Sequence, residues 1–152
     1  MEEREQKLRD IQRQYVDFLD DGNADGTYEH RVNDMIGNGK SRLIVNINDV
    51  RNKLPERAKN LLEDAFDELI AFQRALKEYV GSMNAEFAKG QKEFLVGFEG
   101  SFGNRHLTAR TLGSRHLNNL VCVEGIVTKC SLVRPKVMTS VHYCPATSKT
   151  ME

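Results

Sequence analysis

The stretch from Pro55 to Gly81 constrains the fold of this chain more than any other, because it carries a single continuous apolar face. Its apolar residues recur at intervals of three and four over about six turns of helix, at 3.6 residues per turn. They are Ala58, Leu62, Ala65, Leu69, Phe72, Leu76 and Tyr79. Proline suits the first turn of a helix and glycine its end. The pattern therefore predicts one long amphipathic helix whose Leu62, Leu69 and Leu76 face a core.

Two shorter segments before it have the same period. One covers residues 3–20 and the other residues 27–37, and the turn-forming sequence DDGNADG (20–26) predicts a loop between them. Their apolar positions are Leu8, Ile11, Tyr15, Phe18 and Leu19, and Tyr28, Val32, Met35 and Ile36. RLIVNIN (42–48) alternates and is rich in β-branched residues, so it predicts a short strand. The three helices can bury their apolar faces against one another in a bundle over residues 1–90.

The period changes after residue 90. EFLVGFEG (93–100) and most of residues 119–143 have the composition of strands, with a helix-compatible segment at 108–120 between them. These strands are too few to close a barrel. The predicted fold class is α+β, with a helical bundle at residues 1–90 and a β-rich unit at residues 91–152 that we expect to be incomplete.

Charge is divided unevenly along the 152 residues, although the formal net charge is zero. Residues 1–100 hold 15 basic and 20 acidic side chains, a net −5, whereas residues 101–152 hold 7 and 2, a net +5. A surface that faces a polyanion would produce this division, and basic strand faces that are merely solvated are the alternative. No apolar run approaches the roughly 18 residues that a membrane span needs, so we expect no membrane partner. An odd number of cysteines, three, indicates reduced thiols.

Several motifs in the second half occur in a recognisable order. R-T-L (110–112) is followed by V-E-G-I-V-T-K (123–129), then by V-R-P (133–135) and by V-H-Y-C (141–144). This order resembles the minichromosome maintenance (MCM) family, in which these motifs open an N-terminal OB-fold. Longer stretches resemble one subunit type of the six-membered eukaryotic replicative helicase ring; they are YVDFLDD, RLIVNINDVR, FDELIAFQRALKEYV, VGFEGSFG and VHYCPATSKT.

The resemblance implies a helical A domain at residues 1–90 and the start of an OB-fold at residues 91–152 that breaks off at a hairpin like that of a zinc ribbon. It implies part of a DNA replication licensing factor in the nucleus, serving ring assembly and DNA binding at origins. The implied partners are other MCM subunits in a hetero-hexameric ring, single- and double-stranded DNA, and replication initiation factors. ATP and Mg²⁺ would belong to an ATPase core absent from these residues, which contain no G-x-x-x-x-G-K-[ST]. We expect no catalytic residue in this chain.

Three cations on one predicted strand–turn unit are the candidate DNA contacts. OB-folds bind single strands through a basic groove that follows the phosphate backbone. The resemblance assigns that role here to Lys129, Arg134 and Lys136, and solvated charges on a strand rim are the alternative. Gly125 lies in mid-strand, where barrel curvature is the expected reason for a glycine.

Cys144 lies where the family's first zinc ligand would be. A zinc ribbon needs a second cysteine about two residues later, but Thr147 stands near that place. We therefore expect no bound metal. Cys122 and Cys130 are expected to be small core residues. A function of another class stays open, that of a stand-alone helical adaptor for protein partners with a basic tail and no DNA role.

Overall fold

The computed structural model describes residues 2–20, 27–137 and 139–151. The predicted loop at 20–26 lies almost entirely outside these ranges. The helices are α1 (Glu2–Asp20), α2 (Thr27–Gly37), α3 (Ile47–Lys53), α4 (Pro55–Glu63), α5 (Ala65–Met83) and α6 (Ala85–Gly90). The strands are β1 (Arg42–Asn46), β2 (Leu95–Glu99), β3 (His106–Thr108), β4 (Cys122–Glu124), β5 (His142–Cys144) and β6 (Lys149–Met151). The α+β class is confirmed.

The core forms chiefly between α1 and α5. All the apolar residues predicted for the face of α1 are buried, as are Tyr28, Val32 and Met35 of α2. The ring of Tyr15 in α1 stacks on that of Phe72 in α5, with centroids 4.1 Å apart and planes 10° from parallel. Phe18 meets the same Phe72 ring edge-on, with 6.1 Å between centroids. One aromatic cluster therefore fixes α1 against α5.

The predicted long helix is wrong in one respect, because it is two helices. The backbone leaves helical geometry at Asp64, where φ is −141° and ψ is 70°, and α5 starts again at Ala65. Leu76 is fully buried, as predicted, but Leu62 and Leu69 are only half-buried. The core positions beside them are taken by Leu61 and Glu68. A pattern of apolar residues could not locate the core face correctly, because one of its central positions is a carboxylate.

Glu68 is a charged residue inside the core, with only 3% of its surface exposed. Its Oε2 accepts a hydrogen bond of 2.8 Å from the hydroxyl of Tyr15, and its Oε1 pairs with Nη1 of Arg57 at 3.0 Å. Arg57 also donates from Nε to the amide oxygen of Gln14 at 2.9 Å. A buried charge is costly unless it is paired and hydrogen-bonded, and both carboxylate oxygens here are satisfied. The network ties α1, α4 and α5 together.

The strands β1 and β2 pair in parallel, with Val45 opposite Phe98. Leu43 and Val45 of β1 are buried, while Arg42 before them and Ile44 between them are exposed, which is the alternation expected of a half-buried strand. Phe98 of β2 approaches the ring of Phe72 edge-on at 6.0 Å. Although β2 lies beyond residue 90, its pairing and packing place it with the helical unit.

The strand predicted at 42–48 ends at Asn46, two residues early. The side-chain oxygen of Asn46 accepts a 2.9 Å hydrogen bond from the backbone N–H of Asn48. Asn46 is therefore the N-cap of α3, which begins at Ile47.

Most of the predicted strand material at 119–143 is wrong as well. Only β4 and β5 form there, and the described residues between them have no regular structure. The segment 108–120 contains a 3₁₀ turn at Ser114–His116 rather than an α-helix. Gly125 follows β4 in open space, so neither strand curvature nor a close approach accounts for it. Strand backbone needs a neighbour to accept its hydrogen bonds, and within the described ranges no strand lies beside 125–137.

Among the described helices, none combines the length and the apolar character that crossing a membrane requires.

The two leucines of α5 should differ in their effect on stability. Because Leu76 is fully buried, Leu76→Ala should lower the free energy of unfolding by about 2–5 kcal/mol. Leu69→Ala should lower it clearly less, since that side chain is already in contact with solvent. Urea unfolding of the two variants measures this difference. Equal losses would contradict the position of the core face.

Alkaline pH should destabilise the fold through Tyr15. Burial raises the pKa of its hydroxyl above the usual value near 10, helped by the negative charge of Glu68 and the hydrogen bond to it. The unfolded chain then loses this proton near pH 10, while the folded chain keeps it. The contribution of Tyr15 to the free energy of unfolding is therefore fully present below about pH 10. Above that pH it decreases by up to about 1.4 kcal/mol per pH unit. Tyr15→Phe should make the loss above pH 10 shallower, as measured by urea unfolding across that range.

The exposed Tyr143 offers a matched control. Tyr143→Phe should leave the alkaline loss of stability unchanged. A Tyr15→Phe variant with the slope of the parent chain would show that the Tyr15 hydroxyl ionises as readily in the fold as in the unfolded chain.

Candidate nucleic-acid interface

The three predicted DNA contacts lie on one exposed segment, residues 125–137. Lys129, Arg134 and Lys136 are all exposed, and the structure describes no ion pair or hydrogen bond for their side chains. The apolar residues between them are exposed too, with Ile126 at 92% and Val133 at 96%. The segment thus presents cations and apolar side chains together, a combination typical of a binding surface. The three cations are therefore close because they are near one another in the sequence, and not because the fold arranges them in a groove.

Little acidic charge offsets this segment. Glu124 at the end of β4 forms a 3.0 Å contact with Nε2 of His106, the residue opposite the start of β4 in the β3–β4 pair. His106 therefore has a partner that its position in the sequence did not suggest. Beyond Glu124, the described residues up to 151 contain no carboxylate side chain. The surplus of positive charge in the second half is therefore not neutralised from within that half.

A second set of contacts connects the basic part of the chain, residues 101–152 (the basic half), to the helical unit at the helix break. The carbonyl of Asn118 accepts a 2.8 Å hydrogen bond from the backbone N–H of Ala65, the first residue of α5. The side chain of Asn118 contacts the carboxylate of Asp64. Asn118 has a φ of 61°, a left-handed conformation that asparagine tolerates better than most residues. The break at Asp64 is therefore occupied by a residue that lies 54 positions later in the chain.

Arg105 makes a further contact at the same junction. Its Nη2 lies 3.3 Å from Oε1 of Glu63, the last residue of α4. Sequence reasoning singled out neither Arg105 nor Asn118. The signal available was the Asn118–Asn119 pair, which is compatible with a turn but does not indicate its partner.

Cys144 ends β5 and is fully exposed, at the start of the turn that leads to β6. A hydrogen bond from the side chain of Thr147, followed by bonds from the backbone of Thr147 and Ala146, lowers the pKa of its thiol. His142, two residues earlier, contacts the hydroxyl of Ser140 at 3.0 Å through Nε2. Within 2–20, 27–137 and 139–151, no three His, Cys, Asp or Glu side chains converge in an arrangement that could hold a metal ion.

The expectation that the other two cysteines are core residues is wrong. Cys122 is half-buried and Cys130 is exposed. The reason is the absence of a sheet around residues 125–137, which leaves Cys130 nothing to pack against.

Comparison with known families matches the chain in two consecutive parts. A model of the MCM N-terminal domain matches residues 12–100, and a model of the MCM OB domain matches residues 107–152. The first range includes both strands of the β1–β2 sheet, and the second begins within β3 and contains the three candidate cations.

Individual relatives match almost the whole chain. The maternal DNA replication licensing factor mcm3 of Xenopus laevis is 63% identical over 146 residues, which is 96% of this chain. The DNA replication licensing factor Mcm3 of Drosophila melanogaster is 58% identical over 150 residues, or 99% of this chain. DNA replication licensing factor MCM3 of Oryza sativa subsp. japonica is 40% identical over 151 residues. The chain spans 18% of the length of the first two relatives and 20% of the third. Because an MCM domain model covers most of the chain and a second one follows it in order, the chain belongs to the minichromosome maintenance (MCM) family.

Proposed function

We propose that this chain is the N-terminal part of the third subunit of the hexameric MCM helicase ring, a DNA replication licensing factor. The observation that supports this best is the order of the two domain matches, 12–100 and 107–152, together with relatives named as licensing factors at up to 63% identity. The helical unit would serve ring assembly. The following segment would contribute strands of an OB-fold that binds DNA at origins, for initiation and elongation of replication.

The partners follow from this role. Other MCM subunits in a hetero-hexameric ring, single- and double-stranded DNA and replication initiation factors are the proposed partners, and the nucleus is the proposed location. ATP and Mg²⁺ would be needed by an ATPase core of the whole subunit. The residues of this chain would bind DNA and neighbouring subunits and take no direct part in ATP hydrolysis.

Lys129, Arg134 and Lys136 are the proposed DNA contacts. They are exposed, and no carboxylate among the described residues pairs with them, so their charges are available to phosphate. The exposed Ile126, Leu132 and Val133 beside them would become buried if the segment paired as strands of a barrel. Because side chains alternate along a strand, such pairing would place Lys129 on the face opposite Ile126, and Arg134 and Lys136 on the face opposite Val133. Aromatic residues are few there, so we expect phosphate contacts to dominate and sequence preference to be weak.

Changing Lys129 and Arg134 together to alanine should weaken DNA binding by the assembled ring similarly for every sequence. If both side chains contact phosphates of single-stranded DNA, the slope of log affinity against log salt concentration should flatten by about 1.4, or about 0.7 for each contact. Fluorescence anisotropy with single-stranded oligonucleotides over a series of salt concentrations measures both effects.

A matched control is the double change of the exposed Lys89 and Lys92 to alanine, which removes the same charge from the helical unit. It should leave the salt slope unchanged. If the Lys129/Arg134 variant kept both affinity and slope, Lys129 and Arg134 would be solvated charges without a DNA role. The adaptor function would then become the better explanation of the exposed segment.

We also propose that this part of the subunit works without a bound metal. Zinc prefers four tetrahedral ligands, whereas Cys144 and the nearby His142 supply two, so purified protein should contain much less than one zinc per chain. Metal analysis by mass spectrometry measures this directly. A value of about half a zinc per chain or more that disappears in Cys144→Ser would contradict it, and a value near one half would indicate one four-ligand site shared between two chains.

A further inference from the structure

A cleft of about 460 Å³ lies where the 3₁₀ turns at Gly103–Arg105 and Ser114–His116 meet. Five residues line it, and they are Asn104, Arg105, Arg115, His116 and Asn119. Every one has a side chain that can donate hydrogen bonds, and the lining includes no carboxylate, no aliphatic residue and no Phe, Tyr or Trp. A cavity with this lining is suited to an anion with several acceptor oxygens.

The charge of Arg105 is largely offset and its position is held. Besides the contact with Glu63, its Nη1 lies 2.9 Å from the side-chain amide of Asn119, whose oxygen accepts from it when the amide is assigned in the orientation that satisfies both neighbours. The amide nitrogen of Asn119 in turn donates to the backbone carbonyl of Glu63 at 2.6 Å. Asn119 therefore links the guanidinium to the end of α4. Only 18% of the Arg105 side chain is exposed, so this donor group is fixed at one wall of the cleft.

Arg115 differs from Arg105 because the structure describes no acidic partner for it, and it is exposed. Its positive charge is therefore uncompensated. His116 beside it accepts a 3.3 Å hydrogen bond at Nδ1 from the backbone N–H of Gly113. In the neutral ring the proton must then be on Nε2, which makes His116 a donor as well. Arg115 supplies one net charge, and the other lining residues supply neutral or compensated donors.

We propose that this cleft binds one phosphate of a nucleic-acid backbone, at a contact separate from Lys129, Arg134 and Lys136. The inference rests on the proposed function in one respect, namely that the chain meets DNA. A backbone phosphate is a monoanion, and the cleft offers one uncompensated positive charge and several further donors. Arg115 provides the charge-assisted contact, and Arg105, held by Glu63 and Asn119, provides a second donor in a fixed orientation.

The lining favours a nucleic acid over a phosphorylated peptide for two reasons. A phosphoserine carries about 1.5 to 2 negative charges at neutral pH, more than Arg115 alone balances. Recognition of a peptide also uses pockets for the side chains next to the phosphate, and no aliphatic residue and no Phe, Tyr or Trp lines the cleft to form one. The sequence-independent phosphate of a DNA backbone requires neither.

Arg115→Ala in this chain tests the proposal, with Arg110→Ala as the matched control. Both arginines are exposed and five positions apart, but only Arg115 lines the cleft. Fluorescence anisotropy with oligothymidylate and with a mixed-sequence duplex, each over a series of salt concentrations, gives the salt slope. We expect Arg115→Ala to flatten it by about 0.7 on the single strand or about 0.9 on the duplex, and Arg110→Ala to leave it unchanged.

A second variant should change affinity in the opposite direction. Glu63 competes with a phosphate for Arg105, so Glu63→Gln should tighten DNA binding at each salt concentration. Glu93→Gln removes the same charge at an exposed position outside the cleft and should have a smaller effect. Equal effects of the two glutamate changes, or of the two arginine changes, would show that only the general field of the chain acts, and would overturn the site.

Measuring the double change of Lys129 and Arg134 in this chain as well, by the same anisotropy titrations, separates this site from the proposed one. If the double change of Lys129 and Arg134 flattens the slope while Arg115→Ala does not, the cleft is not a DNA contact and the proposed function stands. If only Arg115→Ala flattens the slope, the cleft is confirmed and the exposed segment is not a DNA contact. A phosphoserine peptide that bound more tightly than oligothymidylate, and lost that affinity in Arg115→Ala, would overturn the assignment to nucleic acid. So would the absence of DNA binding at low salt.

Discussion

The stacking of Tyr15 on Phe72 is the contact on which the rest of the fold depends. It joins α1 to α5, and two further rings, of Phe18 and Phe98, pack against the same phenylalanine. The hydroxyl of Tyr15 also reaches Glu68, so the apolar core and the buried polar network share one side chain. Removing the ring would therefore open a cavity and leave a buried carboxylate short of a hydrogen bond, and both effects lower stability.

The buried carboxylate of Glu68 is linked to the way in which α4 and α5 meet at the helix break. Arg57 in α4 has to reach Glu68 in α5, and the two helices meet at Asp64. The N-terminus of α5 lacks a side-chain cap of its own, and the carbonyl of Asn118 from the basic half accepts the hydrogen bond of Ala65 instead. The orientation of the two helices and the position of the basic half are therefore set at the same place. A change at Asp64 or Asn118 should therefore alter both the orientation of α4 relative to α5 and the position of the basic half.

The two proposed DNA contacts differ in how far the sequence could predict them. The sequence places Lys129, Arg134 and Lys136 close together, and an excess of cations is visible without any structure. The cleft of Arg105, Arg115 and Asn119 is not visible in this way, because its residues follow no helical or strand period. Two 3₁₀ turns bring them together, and the partner that holds Arg105 is Glu63, which lies 42 positions earlier in the chain. A site built from loops in this manner has no local signature.

The sequence by itself determined the faces of α1 and α2, the α+β class and the family, because helical periodicity and motif order are properties of neighbouring residues. Only the tertiary structure decided that the long helix breaks at Asp64, that Glu68 is a core residue and that β2 pairs with β1. Each of these depends on a partner far away in the chain, such as Tyr15, which lies 53 positions from Glu68. The same reason explains why the strands expected between residues 125 and 137 do not form. A residue's strand propensity is local, but a strand forms only where a second strand accepts its hydrogen bonds.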